Sequence, residues 1–266
     1  MNPWLILGPI GMIAVGVVSI AWWKTRSHSP WRPFLLGGFV WFAAIIPKFI
    51  LDLTVTTPLY FSLLPSIGLV GALAAVGVYL GLRTGVLECG FTFLGVSRTR
   101  LREASLDEAT AFGVGFGATE AILLGIEALI NIAVFLVSPS IIDSLPPDQA
   151  SAILASLNAS TLTVPAPIME RFFAMIAHVL ASLLIFYSVR FGRRSLFALS
   201  FIYKTALDSP ILFFQSTIAS SNSILTLYLV ELWVVIFGIV GLLGTIRLRR
   251  SWNRRIVPTV PEETES

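Results

Sequence analysis

Long apolar runs separated by short polar segments fill most of this sequence. Because roughly 20 apolar residues in a helix cross the hydrocarbon core of a bilayer, each run predicts one spanning helix. A helix satisfies its own backbone hydrogen bonds, which hydrocarbon requires. The pattern therefore predicts an all-α, polytopic membrane bundle of about seven transmembrane helices. The predicted spans lie near residues 4–23, 34–52, 65–88, 109–137, 166–189, 195–214 and 223–246.

The composition agrees with burial in lipid, since 56% of the 266 residues are hydrophobic and only 12% are charged. A soluble domain carries about 25% charged residues, so a water-covered globular domain is excluded. We expect an integral, multi-pass protein of the cell membrane with one transmembrane domain over residues 1–250. The polar residues 251–266 predict a disordered cytosolic tail.

The basic residues lie in alternate connecting segments, which predicts the orientation of the bundle. Fifteen of the 18 Lys and Arg residues fall in segments 24–33, 83–105, 190–194 and the tail from Arg247. Basic loops face the cytosol, so the N-terminus is expected outside and the C-terminus inside. The first run has no preceding basic residues, which favours a retained span over a cleaved signal peptide. This topology accounts for the basic charge, and no nucleic-acid partner is expected.

Charged residues also occur inside the predicted spans, where an unpaired charge costs several kcal/mol and marks a candidate functional site. Near the span ends, Lys48 and Asp52 are expected to pair with each other at the outer interface. Glu88 is expected near the cytosolic face. The groups at greater depth are Glu120, Glu127, Glu170, Arg171, His178, Lys204, Asp208 and Glu231.

Helical spacing predicts which of these groups share a face. In the fourth span Glu120, Glu127 and Asn131 form one stripe, which is expected to face the bundle interior. The Gly-x-Gly-x-Gly stretch at 113–117 makes the same helix thin, so a neighbouring backbone can approach just before Glu120.

The fifth and sixth spans carry further polar groups at similar depth. Arg171 and His178 are seven residues apart and therefore lie on one face. Lys204 and Asp208 are separated by four residues and are able to pair. Hydrocarbon tolerates such groups only when they meet, so we expect the fourth, fifth and sixth helices to form one buried polar site.

A carboxylate beside a histidine in a wet cavity is able to activate water for hydrolysis. Glu120 is the best candidate base, with His178 on a neighbouring helix. One histidine with scattered carboxylates makes a poor zinc site, and Cys89 is the single cysteine. No bound metal and no other cofactor are expected.

Three short motifs resemble the YhfC family of membrane proteins, which is related to the CAAX prenyl endopeptidases and bacterial CPBP proteins. The motifs are FGVGFGATEAILLG at 112–125, ERFFAMIAH at 170–178 and KTALD at 204–208. The resemblance covers roughly residues 65–215. It implies a glutamate-dependent intramembrane protease with a catalytic Glu120, a Glu170–Arg171 pair and a water- or oxyanion-orienting His178. It also implies a final polar pair, Lys204 and Asp208, and a transmembrane or lipidated peptide substrate.

Two positions depart from the family pattern, which has histidines where this chain has Phe116 and Lys204. Lys204 is able to donate to an oxyanion but is not a neutral imidazole ligand. Three hypotheses therefore stand: an intramembrane glutamic peptidase, a non-catalytic member that binds a partner helix or lipid, and a transporter using the Glu120, Glu127 and Asn131 stripe. Among the expected partners, membrane lipids are common to all three.

Overall fold

The structure, a computed structural model, describes residues 1–221 and 223–256. Within these ranges all regular elements are helical, which confirms the predicted all-α bundle. The last helix continues to Ile256, and the rest of the predicted tail lies outside the described residues. The α-helices are α1 (Leu7–Ser27), α2 (Trp31–Leu51), α3 (Thr57–Thr84), α4 (Gly90–Arg98), α5 (Leu106–Val137), α6 (Ser140–Asp143), α7 (Pro147–Leu157), α8 (Pro165–Phe191), α9 (Arg194–Asp208), α10 (Ile211–Ser221) and α11 (Ile224–Ile256).

Six helical segments of the described chain are long and apolar enough to cross a membrane. Large apolar side chains are exposed along them, including Leu35, Phe39 and Leu225, as expected of surfaces that face lipid. The chain is therefore an integral, multi-pass membrane protein. Which ends face the cytosol stays a prediction.

The longest segment, Trp31–Arg98, folds back on itself at Gly68. Gly68 has a φ of 69°, a conformation that glycine adopts without a Cβ clash. Lys48 pairs with Glu88, 40 residues later, which a straight helix would hold about 60 Å away. Residues 31–67 and 69–98 therefore form an antiparallel hairpin, and the described chain has seven crossings. Two π-helical turns, Asp52–Thr56 and Gly85–Cys89, join its α-helical parts.

The hairpin corrects two expectations about charges. Lys48 and Asp52 do not pair with each other, because Lys48 contacts Glu88 and Asp52 contacts Arg83. The third crossing also continues to Arg98 instead of ending near Glu88. Glu88 therefore lies about 15 Å inside that end of the helix, and Arg83 belongs to the helix instead of a loop.

α5 and α8 form the centre of the bundle. α5 packs against α1, α2 and α8, and α8 also packs against α9 and α11. A capping box fixes the start of α5, since the Ser105 hydroxyl accepts from the Glu108 N–H and the Glu108 carboxylate accepts from the Ser105 N–H. The register of Glu120 follows from this start.

Close packing around α5 depends on the predicted glycine stretch. A Cβ at Gly113 would lie 2.8 Å from the Val179 Cα of α8, and a Cβ at Gly117 would lie 3.1 Å from the Met175 Cα. On the other side, a Cβ at Gly115 would lie 2.1 Å from the Phe34 carbonyl oxygen of α2. The expected backbone approach is confirmed, and it occurs on two sides of the helix.

The sixth crossing is broken between α9 and α10, where Pro210 removes a backbone donor. Short helices α6 and α7 fill the connection between α5 and α8. The N-terminus anchors this connection, since the Asn2 side chain donates to the Ala159 carbonyl at 2.9 Å.

The glycine packing gives a first testable prediction. Gly115→Ala is expected to destabilise the protein by about 1–3 kcal/mol, because its new methyl group meets backbone that cannot rotate away. Gly90→Ala is the control, since nothing lies within 4 Å of a Cβ there and the residue is helical. Thermal unfolding in detergent micelles measures both. Equal unfolding temperatures for the two variants would contradict the packing described.

Candidate active site

Polar side chains from five of the seven crossings converge between α2, α5, α8 and α9. Counted at 1.5 Å per residue from the nearest helix end on one side of the bundle, Glu88, Lys204, His178 and Glu120 lie about 15–21 Å deep. That is near the middle of a hydrocarbon core about 30 Å thick. The group comprises Trp41 and Lys48 on α2, Glu88 on the second π-helical turn, Glu120 on α5, Arg171 and His178 on α8, and Lys204 on α9.

Glu120 contacts three of these residues. Its Oε1 accepts from Arg171 Nη1 at 2.6 Å. Its Oε2 accepts from Trp41 Nε1 at 2.9 Å and lies 2.9 Å from His178 Nε2. The expectation that Glu120 and His178 meet is confirmed, and their contact is direct.

His178 lies between two carboxylates. Its Nε2 faces Glu120, and its Nδ1 lies 3.9 Å from Glu88 Oε2. The ring is buried and packs beside Phe116, with the ring centroids 5.0 Å apart. Phe116 thus occupies one side of the imidazole with an apolar surface.

Glu88 is the second carboxylate of the site, it is buried, and two ammonium groups contact it. Its Oε1 accepts from Lys48, and its Oε2 lies 3.0 Å from Lys204 Nζ. All three side chains are at most 10% exposed. Lys204 was expected to pair with Asp208, but its closest ion pair is with Glu88 on a neighbouring helix.

Arg171 joins the candidate base to a further acid. Its guanidinium donates to Glu120 and also to its neighbour Glu170, with Nε 3.2 Å from Glu170 Oε2. The shared face of Arg171 and His178 is confirmed, because both contact Glu120. Asp208 is one helical turn beyond Lys204 and lines a cavity that Glu120, His178 and Lys204 also line.

That cavity has a volume of about 260 Å³. Glu120, His178 and Lys204 line its polar wall, while Leu124 and Val234 contribute apolar surface. A concave site with a mixed lining and converging polar groups is typical of ligand and substrate pockets. A smaller pocket of about 10 Å³, roughly one water molecule in size, lies behind the imidazole between Glu88, Thr92 and Ser182.

Two polar residues of the predicted stripe do not join the site. Glu127 and Asn131 are exposed, so the stripe from Glu120 does not continue into the interior as expected. Neither residue lines the cavity, which removes the proposed ion path of the transporter hypothesis. Glu231 on α11 is buried and does not line the cavity, but it is close enough to Glu170 and Arg171 to interact with both electrostatically.

Three residues at the site, Trp41, Lys48 and Glu88, were missed from the sequence, and Lys48 was expected to pair with Asp52 instead. Glu88 was placed near a membrane face, because the third span was predicted to end at residue 88. Trp41 was not distinguished from other apolar residues, although an indole N–H must find an acceptor when it is buried. The available signal was a tryptophan inside an apolar span, whose N–H needs an acceptor such as an intramembrane carboxylate.

The part of the chain that the structure describes contains no cluster of three or more His, Cys, Asp or Glu side chains arranged to hold a metal ion. Cys89 is buried on the same turn as Glu88, and its Sγ lies 3.5 Å from Ser200 Oγ. It does not line the larger cavity.

Comparisons with known proteins identify the family. A profile described as the YhfC intramembrane metalloprotease family matches residues 11–229, which is most of the chain. Neither the curated proteins nor the solved structures that were searched gave a match. The match includes all three motifs and every residue of the group of converging polar side chains, from Trp41 to Lys204. The chain therefore belongs to the YhfC family of intramembrane proteases.

Proposed function

We propose that this protein is an intramembrane peptidase in which Glu120 activates a water molecule for attack on a peptide bond. The observation that carries the proposal is the contact between Glu120 and His178 at the wall of a mid-bilayer cavity. Family membership supports a protease-like function. The expected substrates are transmembrane or lipidated peptides, because the site lies at the depth of lipid chains.

The chemistry requires only groups that line the cavity. The water oxygen attacks the peptide carbonyl carbon while Glu120 accepts a water proton, and His178 orients the water. The carbonyl oxygen gains negative charge, which the Lys204 ammonium stabilises by donating a hydrogen bond. The carbon–nitrogen bond then breaks, and the proton held by Glu120 passes to the leaving amine.

The Glu120 carboxylate is still able to accept a hydrogen bond from a water molecule, despite its contacts with three protein groups. An ionised carboxylate has about four acceptor positions, and the contacts to Arg171, Trp41 and His178 use three of them. Arg171 and Trp41 fix the carboxylate in one orientation, which is the preorganisation that general-base catalysis needs. Glu170 in turn fixes Arg171.

The metal that the family description implies does not fit the residues at this site. The carboxylates of Glu88 and Glu120 already contact protein cations, namely Lys48, Lys204 and Arg171. Like unit charges about 4 Å apart repel by roughly 4 kcal/mol near a protein surface, and a divalent ion doubles that repulsion. His178 is the one imidazole at the site, and Phe116 beside it supplies no ligand. The proposed mechanism therefore uses no metal.

A non-catalytic role is the second candidate, and one observation favours it. Both oxygens of Glu120 already accept hydrogen bonds from cationic or aromatic donors, as a structural carboxylate would. In that case the cavity would bind a partner helix or lipid without cleaving it. Binding of that kind would survive Glu120→Gln, because glutamine keeps the size and an acceptor oxygen.

Cleavage by the purified protein is the direct test. Reconstituted wild-type protein is expected to cleave members of a library of single-span and lipidated membrane peptides, with products identified by mass spectrometry. Glu120→Gln is expected to lower the rate by at least about 10²–10⁴-fold, because glutamine cannot accept a proton. Glu127→Gln is the matched control on the same helix and should cleave at the wild-type rate.

Two results would contradict the proposed function. Cleavage by Glu120→Gln at the wild-type rate would remove Glu120 from the mechanism. Complete absence of cleavage by wild type, with peptides that bind equally to wild type and Glu120→Gln, would favour the non-catalytic alternative. Thermal unfolding of each variant establishes that the comparison concerns folded protein.

Trp41 gives a separate prediction as a positioning residue. Trp41→Phe keeps an aromatic ring but removes the N–H that donates to Glu120. A hydrogen bond to a charged group contributes about 1.5–3 kcal/mol, so kcat is expected to fall at least roughly tenfold while KM stays within about twofold. Trp22→Phe is the control, since Trp22 is exposed on α1. A rise in KM with unchanged kcat would instead place Trp41 in substrate binding.

A further inference from the structure

We propose that Lys204, with Lys48, occupies the place beside Glu88 and His178 that a divalent cation would take, so that this chain works with a permanent protein cation instead of a metal. The inference rests on the proposed function only because both concern the same site. Metal content tests it whether or not the protein cleaves peptides.

The first observation is the distance between two groups that are able to bind a metal ion, Glu88 and His178. Glu88 Oε2 and His178 Nδ1 are 3.9 Å apart. Two ligands of one tetrahedral zinc ion are separated by roughly 3–4 Å, because each lies about 2.0–2.2 Å from the metal. The pair therefore has nearly the separation that a bound metal would require.

A fixed ammonium group lies beside this pair. Lys204 Nζ lies 3.0 Å from Glu88 Oε2, and Lys204 and His178 line the same small pocket behind the imidazole. Lys48 contacts the other oxygen of the same carboxylate. Glu88 thus faces two ammonium groups, so its negative charge is already balanced before any metal enters.

The arrangement also explains how two buried ammonium groups and Glu88 coexist at bilayer depth. Lys204 is 3% exposed and Lys48 is 8% exposed, so neither obtains its solvation from bulk water. Their solvation comes from Glu88, which a metal ion would have to take from them. The side chain at position 204 therefore decides whether this site holds a metal.

Replacing Lys204 tests that statement. Lys204→His removes the positive charge and places a third potential ligand beside Glu88 and His178. Lys204→Met removes the charge but adds no ligand, so it separates the two effects. Each purified variant is dialysed against zinc chloride and then against buffer, and bound zinc is measured by elemental analysis.

Wild type and Lys204→Met are expected to retain no stoichiometric zinc, and Lys204→His to retain about one zinc per chain, as a three-ligand site does. Adding His178→Gln to Lys204→His should abolish that binding. Zinc is also expected to raise the unfolding temperature of Lys204→His alone, because a bound metal stabilises the folded state.

Two outcomes would overturn the inference. One is wild-type protein that retains one zinc per chain and loses it on His178→Gln. The other is a folded Lys204→His variant that retains no zinc. Zinc-free wild type that cleaves no peptide would leave this inference standing while the proposed function fails, so the two failures are distinguishable.

Discussion

Two carboxylates at bilayer depth, the buried Glu88 and the partly buried Glu120, must be neutralised by the protein because hydrocarbon offers no other solvation. The structure meets this requirement with cations from three different crossings: Lys48, Arg171 and Lys204. Removing one partner of such a pair strands a charge and costs several kcal/mol. The ion pairs therefore constrain how the helices are placed, and the same constraint holds the candidate catalytic groups in one orientation.

Close helix packing makes this neutralisation geometrically possible. The glycines of α5 let α2 and α8 approach on two sides, which brings Trp41 and His178 to the same oxygen of Glu120. The break between α9 and α10 lies just beyond Lys204 and Asp208 and leaves the cavity room on that side. The geometry of the polar site therefore depends directly on the packing of the helices.

Much of the fold and of the candidate site was predictable from the sequence, because helical periodicity and the cost of intramembrane charge are strong signals. The bundle and the glycine contacts followed from spacing, and the meeting of Glu120, Arg171 and His178 followed from spacing together with the cost of isolated charge in hydrocarbon. Long-range partners did not, since the pairing of Lys48 with Glu88 depends on the hairpin at Gly68. Local spacing favoured Lys48 with Asp52 and Lys204 with Asp208, whereas pairing across helices prevailed. Exposure of Glu127 also escaped prediction, because a helical stripe says nothing about where a neighbouring helix ends.

The contact between Glu120 and His178 is the central claim, and solid-state NMR measures it directly. The chain has only two histidines, so ¹⁵N-histidine labelling with ¹³C-labelled glutamate carboxyls gives a simple spectrum. A strong dipolar coupling between His178 Nε2 and one glutamate carboxyl carbon, lost in Glu120→Gln, is the expected result. A spectrum in which that nitrogen has no glutamate carboxyl nearby would contradict the account.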